Sequence, residues 1–516
     1  MRRGYKHVLS IIIIVAMLLT GCSSGGTTTD QVPTTSSSST TSTATNESST
    51  SNGKTLTATI SDTSTIVVNT EFTASDLEVG YEESAATMIT FDGSNIETLD
   101  GGVTVENGVL TINEEGTYVL SGNLEDGQVV IDAEDTDKVQ LVLNGVSIAC
   151  SNSAPIYIKN ADKVFITLAE GTENTLTDGS AYVQSDENTV DGVIFSKADL
   201  TFNGEGTLSI TANYKHGIVA KNELSFTGGT YNITAIKDAI NGNEGVKVKA
   251  GSFTLSAETG NGISAKNSED TTKGFVYICG GEINITNCVE GIEGTAILVE
   301  GGTINLTSQD DGFNASNGSN SASNTFLEGG GGNAFENDTN CYISISGGTI
   351  SIDASGDGID SNGSLYVSGG SIYVSGPSES GNGGLDYNGT ADITGGTIVV
   401  AGSTGMAQGF SDTSTQYSLL NNFSSTVAAG TEVILTDADG NVIISFTPNK
   451  QYQSVVISTP ELVNGQTYTL TCGEQTADIT LSSIVTSNGQ QQMGGQRMGG
   501  QGMGKQNKDG MEDKVR

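Results

Sequence analysis

An all-β chain of short, repeated strands is predicted on three observations. Gly-Gly pairs followed by an apolar-alternating run recur at Gly228-Gly229-Thr230-Tyr231, Gly280-Gly281-Glu282-Ile283, Gly301-Gly302-Thr303-Ile304, Gly347-Gly348-Thr349-Ile350, Gly369-Gly370-Ser371-Ile372 and Gly395-Gly396-Thr397-Ile398. Their spacing is close to constant: 21 residues from Glu282 to Thr303, 46 (two steps) from Thr303 to Thr349, and 22 from Thr349 to Ser371. An acidic corner such as Asp357-Gly358-Ile359-Asp360 follows the strand at a fixed offset. A period of about 22 residues with strands and glycine corners is the mark of a β-solenoid. The expected fold is a parallel β-helix, right-handed by the parallel crossover rule.

Composition fits a large folded chain that is also strongly acidic. The 516 residues carry a net charge of −39, yet only 16% are charged, so the acidity reflects scarce Lys and Arg. Periodic Ile, Val and Leu exclude a disordered acidic chain. Such a surface repels nucleic acid and anionic membranes and attracts divalent cations, so no nucleic-acid partner is expected.

In chain order, residues 1–21 form an export signal: Arg2, Arg3 and Lys6 precede an apolar run from Val8 to Leu19, short for a membrane span. The run ends Leu19-Thr20-Gly21-Cys22, which resembles the lipobox of bacterial lipoproteins. That resemblance implies lipidation at Cys22 and a protein held by its lipid on the extracellular face of the cell membrane. Residues 22–54, rich in Ser and Thr, cannot bury a core and read as a flexible stalk. Residues 55–115 carry short alternating segments without a clean repeat and read as a β-rich N-terminal cap, which shields the open end of a solenoid.

The β-helix is expected over 116–410. Alternation points Val276/Ile278, Ile297/Val299, Ile343/Ile345 and Leu365/Val367 inward, with Ile283/Ile285, Ile304/Leu306, Ile350/Ile352 and Ile372/Val374. The polar, Gly-rich stretch 315–340 breaks the period and reads as an insertion, with an extra irregular turn cornered at Asn333-Ala334-Phe335-Glu336 as the alternative. Residues 411–486 form a small C-terminal β-unit with a hairpin at Asp439-Gly440-Asn441, and the Gly/Gln/Met tail 487–516 is expected to be disordered. Five cysteines follow Cys22 at irregular spacing, which is no disulfide framework; Cys279 and Cys288 lie in adjoining strands, so either a pair or free thiols fit.

The corners form a series: Asp238-Ala239-Ile240-Asn241, Glu290-Gly291-Ile292-Glu293, Asp311-Gly312-Phe313-Asn314, Asp357-Gly358-Ile359-Asp360, then Leu385-Asp386. Stacking sets successive corners about 4.8 Å apart. Two carboxylates that close repel by ~1 kcal/mol in water and ~3–4 kcal/mol at a surface-like dielectric. Calcium relieves this, because one ion with oxygen ligands at about 2.3–2.6 Å bridges two corners. The candidate ligands are Asp238, Glu290, Glu293, Asp310, Asp311, Asn314, Asp357, Asp360 and Asp386. The alternative is that Asp, Asn and Gly serve only as turn formers.

Several segments resemble bacterial carbohydrate-binding domain-containing lipoproteins, typified by a clostridial cellulose- and pectin-binding parallel β-helix protein. They are Asp76-Leu77-Glu78-Val79-Gly80-Tyr81, Gly116 to Gly122, Val139 to Val146, Ala169 to Asn174, the Asp-Gly-Ile corners and Phe446-Thr447-Pro448-Asn449-Lys450. The resemblance covers about residues 75–485. It implies a right-handed β-helix of polysaccharide-lyase-like shape, bound Ca2+, and binding of cellulose and polygalacturonate without an established lyase activity. His216 and Asn261 stand where the family often has Asp, and Ala239 replaces a usual Gly.

Three functions follow. A monomeric, non-catalytic polysaccharide-binding protein would use outward Tyr277, Tyr366 and Tyr373 to stack on sugars, and Asn284 and Asn305 to bond hydroxyls. A lyase would need a basic residue beside calcium, and Lys215 and Lys237 are the candidates. A structural or adhesive surface protein would use calcium only for stability. The first is the expectation, with no enzyme activity.

Overall fold

The computed structural model describes residues 68–98, 101–267, 270, 272–317 and 337–489. The export signal with Cys22, the stalk, the start of the cap, most of the 315–340 insertion and nearly all of the tail lie outside the described residues. Among those described, strands provide the regular structure, apart from two single 3-10 turns at Ser75–Leu77 and Glu83–Ala85. They form sheets of 25, 12 and 4 strands, and parallel pairing dominates the two larger ones.

One repeat contributes three strands, for example Ala296–Val299, Thr303–Ser308 and Phe313–Ala315. Each pairs in parallel with its counterpart in the next repeat: Tyr342–Ile345, Thr349–Ala354 and Ile359–Ser361. Register therefore lines up like with like. Ile283, Ile304, Ile350, Ile372 and Ile398 form one row. Val246, Val276, Ile297, Ile343 and Leu365 form a second. All of these side chains are fully buried, as the alternation requires. A one-residue slip would turn every one of them outward, and each buried aliphatic side chain is worth roughly 1.5–3 kcal/mol, so the register is strongly fixed. The second glycine of each pair lies at φ 85–91°, a conformation that side chains disfavour, at Gly229, Gly281, Gly302, Gly348, Gly370 and Gly396.

Parallel pairing begins earlier than residue 116. Thr87–Gly93 pairs in parallel with Gly116–Leu124, and Val109–Ile112 with Gln128–Asp132. Antiparallel partners at Asn95–Thr98 and Val103–Glu106 close those first strands, which covers an otherwise open sheet edge. The segment before them does not sit on that end. Residues 68–78 run across the outer face of the large sheet. Asp76, fully buried, pairs with Lys163 at 2.6 Å and accepts from Thr201 at 2.6 Å, while Lys247 donates to the Glu71 carbonyl at 2.5 Å.

At the other end, Tyr452–Ser458 pairs antiparallel with Thr397–Gly402 and with Ser418–Val427. The expected hairpin joins Val433–Thr436 to Val442–Phe446 in the four-stranded antiparallel sheet, whose Val433, Leu435, Tyr468 and Leu470 share one core with Val399, Ala401 and Leu419 of the large sheet. All five described cysteines are free, so the Cys279–Cys288 pair does not form: Cys288 is buried in the core, while Cys279 packs beside Tyr277 on the outer face.

Candidate metal and ligand site

The corner residues stack in two columns. Amides one residue past each corner bond to the next corner's carbonyl: Gly217 to Asp238, Ala239 to Asn261, Gly262 to Glu290, Gly291 to Asp311 and Gly312 to Asp357, at 2.9–3.1 Å. His216, Asp238, Asn261, Glu290, Asp311 and Asp357 thus form one column. Three residues on, Asn241, Ser264, Glu293, Asn314, Asp360 and Asp386 form the second.

The first column has a repeated structural task, which is to accept the amide of the next corner. Asn261 N donates to Asp238 Oδ1 at 2.9 Å. Glu290 N donates to Asn261 Oδ1 at 3.2 Å, Asp357 N to Asp311 Oδ1 at 2.7 Å, and Gly383 N to Asp357 Oδ1 at 2.5 Å. Neutral Asn261 performs this task as well as an aspartate. The turn-former account therefore explains an oxygen at 311 and 357 but not a charge.

In the first half of the columns the charges have protein partners. Asp238 accepts from Asn241 Nδ2 at 2.6 Å and lies 3.3 Å from His216 Nδ1. Burial opposes its ionisation, but the His216 bond and charge, with the Asn261 and Asn241 donors, hold its pKa below the ordinary value. Glu290 accepts from Asn314 Nδ2 at 2.9 Å and Asn261 Nδ2 at 3.3 Å, and burial pushes its pKa up. Buried Glu293 is paired with Lys266 and accepts from Asn261 Nδ2 at 2.5 Å.

The second half is different. Oxygens of Asp311, Asp357 and Asp360 all lie within 4.8 Å of one another. The corner stretches 309–314, 355–360 and 381–386 contain no Lys, Arg or His. Burial first, then mutual repulsion, pushes Asp311 up to about 9 and Asp360 to about 8. Burial pushes Asp357 up to about 7 against the Gly383 amide. Burial also raises Asp386, whose Oδ1 accepts from Gln408 at 2.9 Å. Asn314, register partner of Asp360 and only 9% exposed, has a buried Oδ1 with no hydrogen-bond partner. Asp310 is exposed at the rim, and a Cβ on Gly356 would collide with Asp310 and Asp311 Oδ1.

This donor set fits a hard cation. Ligands of one Ca2+ sit about 2.3–2.6 Å from it, so two of them lie at most about 5 Å apart, a limit that the three aspartates satisfy. An orphaned amide oxygen and carboxylates in excess of cations are what such an ion satisfies. Asp238, Glu290 and Glu293 do not join this group, because His216, Asn314 and Lys266 already engage them.

Lys266 carries no motif that would single it out. It lies beyond the Ile263–Ala265 strand, in a connection of irregular length, so no fixed spacing points to Glu293. Lys237 is exposed and reaches only the Thr259 carbonyl at 3.5 Å, and Lys215 lies 3.5 Å from Asp191. The tyrosines are less available than alternation suggests. Tyr277 faces outward but is 6% exposed, because Val68 and Phe72 fold over it. Tyr366 packs at the edge of the same cluster, and the Tyr373 ring lies 5.4 Å from Phe446 of the C-terminal unit. Outward Asn305 donates to Asn284 Oδ1 at 3.1 Å.

Comparison with known proteins gives three results. A carbohydrate-binding domain-containing protein from Acetivibrio thermocellus is 40% identical over 151 residues, which is 28% of this chain and 52% of that protein, so the match spans about half of the relative's length. A solved structure described as a polysaccharide lyase-like protein from C. thermocellum, in a gadolinium derivative, is 28% identical and covers 55% of this chain and 96% of that one, with a TM-score of 0.42. The family model described as carbohydrate-binding domain-containing protein matches residues 106–380, more than half of the 516. The chain belongs to the family of carbohydrate-binding domain-containing proteins.

Proposed function

We propose that this is a calcium-binding, non-catalytic polysaccharide-binding protein of the cell surface, anchored by a lipid on Cys22. In this reading the three strands per repeat wind as a right-handed parallel β-helix. The bound polymer is an acidic plant cell-wall glycan such as polygalacturonate, with cellulose the neutral alternative. The observation that carries the proposal is the grouping of Asp311, Asp357 and Asp360 beside the unpartnered Asn314 Oδ1. Calcium held there cancels the repulsion between an acidic protein and an acidic polymer, which otherwise keeps the two apart.

A lyase would need a base near the ion. Lys237 shares the corner of Asp238, three repeats from Asp311, or about 14 Å along the stack. Lys266 is taken up by Glu293. Both placements favour binding without chemistry. The test is affinity electrophoresis of the protein in gels containing polygalacturonate, with calcium or chelator, while absorbance is followed for unsaturated products. The expected result is retardation with calcium alone and no product. Retardation that survives chelation, or accumulating product, would overturn the reading.

A further inference from the structure

We infer that the protein carries a second carbohydrate subsite, independent of calcium and selective for neutral glycans. It lies in the groove between residues 75–85 and the outer face of the first repeats. The inference takes from the proposed function only that the protein binds carbohydrate.

The groove has a volume of about 590 Å3. That lies within the range of small-molecule sites, roughly 300–1,000 Å3. Its floor is a row of outward side chains on three neighbouring parallel strands, Thr117, Gln140 and Phe165, in mutual register. Two strand spacings make the row about 10 Å long. Its far wall is the chain from Glu78 to Ala85, including Tyr81 and Glu82.

That wall is tethered to the sheet at its Glu78 end. Asp76 anchors it to Lys163 and Thr201, and Asn203 Nδ2 donates to the Glu78 carbonyl at 3.0 Å. Beyond Glu78 the segment stands off the sheet, which leaves the groove open.

The lining specifies the ligand class. Tyr81, 37% exposed, offers aromatic surface to the apolar face of a sugar ring, while Phe165, 8% exposed, only closes the floor beneath it. Of the eight large apolar side chains exposed among the described residues, Tyr81 lines the groove, and Leu77, Val79 and Met88 lie in the same stretch outside it. Exposed apolar groups beside a polar rim mark binding surfaces. Glu78, Glu82 and Glu115 present carboxylates, which accept hydrogen bonds from sugar hydroxyls. The one cation of the lining, Lys138, lies 3.9 Å from Asp162. The excess negative charge rejects a uronate and accepts a neutral sugar.

The test is calorimetric titration of the full chain with three neutral probes, the β-1,4-linked hexasaccharides of glucose, xylose and mannose, in calcium and in EDTA. At least one should bind with the same affinity in both buffers. Tyr81→Ala should weaken it tenfold or more with the melting temperature unchanged, and Glu115→Gln, which preserves shape, about threefold. Asp357→Asn should leave it unaltered. The inference is overturned if none of the three hexasaccharides binds, if binding ignores Tyr81→Ala, or if EDTA abolishes it. Hexasaccharide binding that persists while the protein fails to bind calcium would remove the proposed function and leave this subsite standing.

Discussion

The two halves of the corner columns share one backbone geometry and differ in charge. From Asp238 to Glu293 each carboxylate meets a His, Lys or amide donor. From Asp311 to Asp386 carboxylates face carboxylates, relieved only by backbone amides and Gln408. Neutral Asn261 does in one half what Asp311 and Asp357 do in the other. The comparison separates what the fold requires, an acceptor at each corner, from what it does not require, a negative charge.

The largest effect should come from removing that charge while keeping the acceptor. Asp357→Asn should weaken calcium binding by about a hundredfold, on the order of 2.8 kcal/mol. It should leave the metal-free melting temperature unchanged or raised, as read by calorimetry. The matching change in the first half, Glu293→Gln, should leave calcium affinity unaltered. Lys266→Met breaks that half in its own way. It strips buried Glu293 of its cation and should destabilise the fold by about 2 kcal/mol in urea titration, with or without calcium.

Asp238 and the aspartates of the second half should also respond to pH with opposite sign. Asp311, Asp357 and Asp360 have folded values raised to about 9, 7 and 8, above the ordinary carboxylate range. The metal-free folded state therefore holds more protons than the unfolded chain. The stability they contribute is complete below about pH 4 and is lost as pH rises through 7–9. Asp238 is depressed, so its contribution is present above the ordinary value and is lost as pH falls below it. Metal-free protein should melt several degrees lower at pH 9 than at pH 6, and calcium should flatten that slope. The smallest effect sharpens the contrast: Asn261→Asp adds a carboxylate beside Glu290 and Glu293. It should lower the metal-free melting temperature by about 1–2 °C and add a calcium-dependent recovery.

Local signals survive in the sequence and distant ones do not. The buried rows through Ile283 and Val276 are legible because strand alternation and Gly-Gly corners recur within 22 residues. The column from Asp238 to Asp357 is legible for the same reason. What escapes is contact across long separations. Asp76 meets Thr201, 125 residues on, and Glu71 meets Lys247, 176 residues on, so nothing in the repeat says that this segment buries Tyr277. Tyr373 is covered in the same way by Phe446. Outward on a strand is thus not the same as open to a ligand, and the distinction moves attention from those tyrosines to Tyr81.

The central claim is that the charges at Asp311 and Asp357 exist for a cation and not for the fold. Calorimetric titration of chelator-stripped protein with calcium, for wild type beside the Asp311→Asn/Asp357→Asn double variant, tests it directly. The account predicts that wild type binds calcium with release of protons at pH 7, and that the double variant, equally folded, does not bind. Equal calcium affinity in the two proteins, or unfolding of the double variant in the absence of metal, would contradict it.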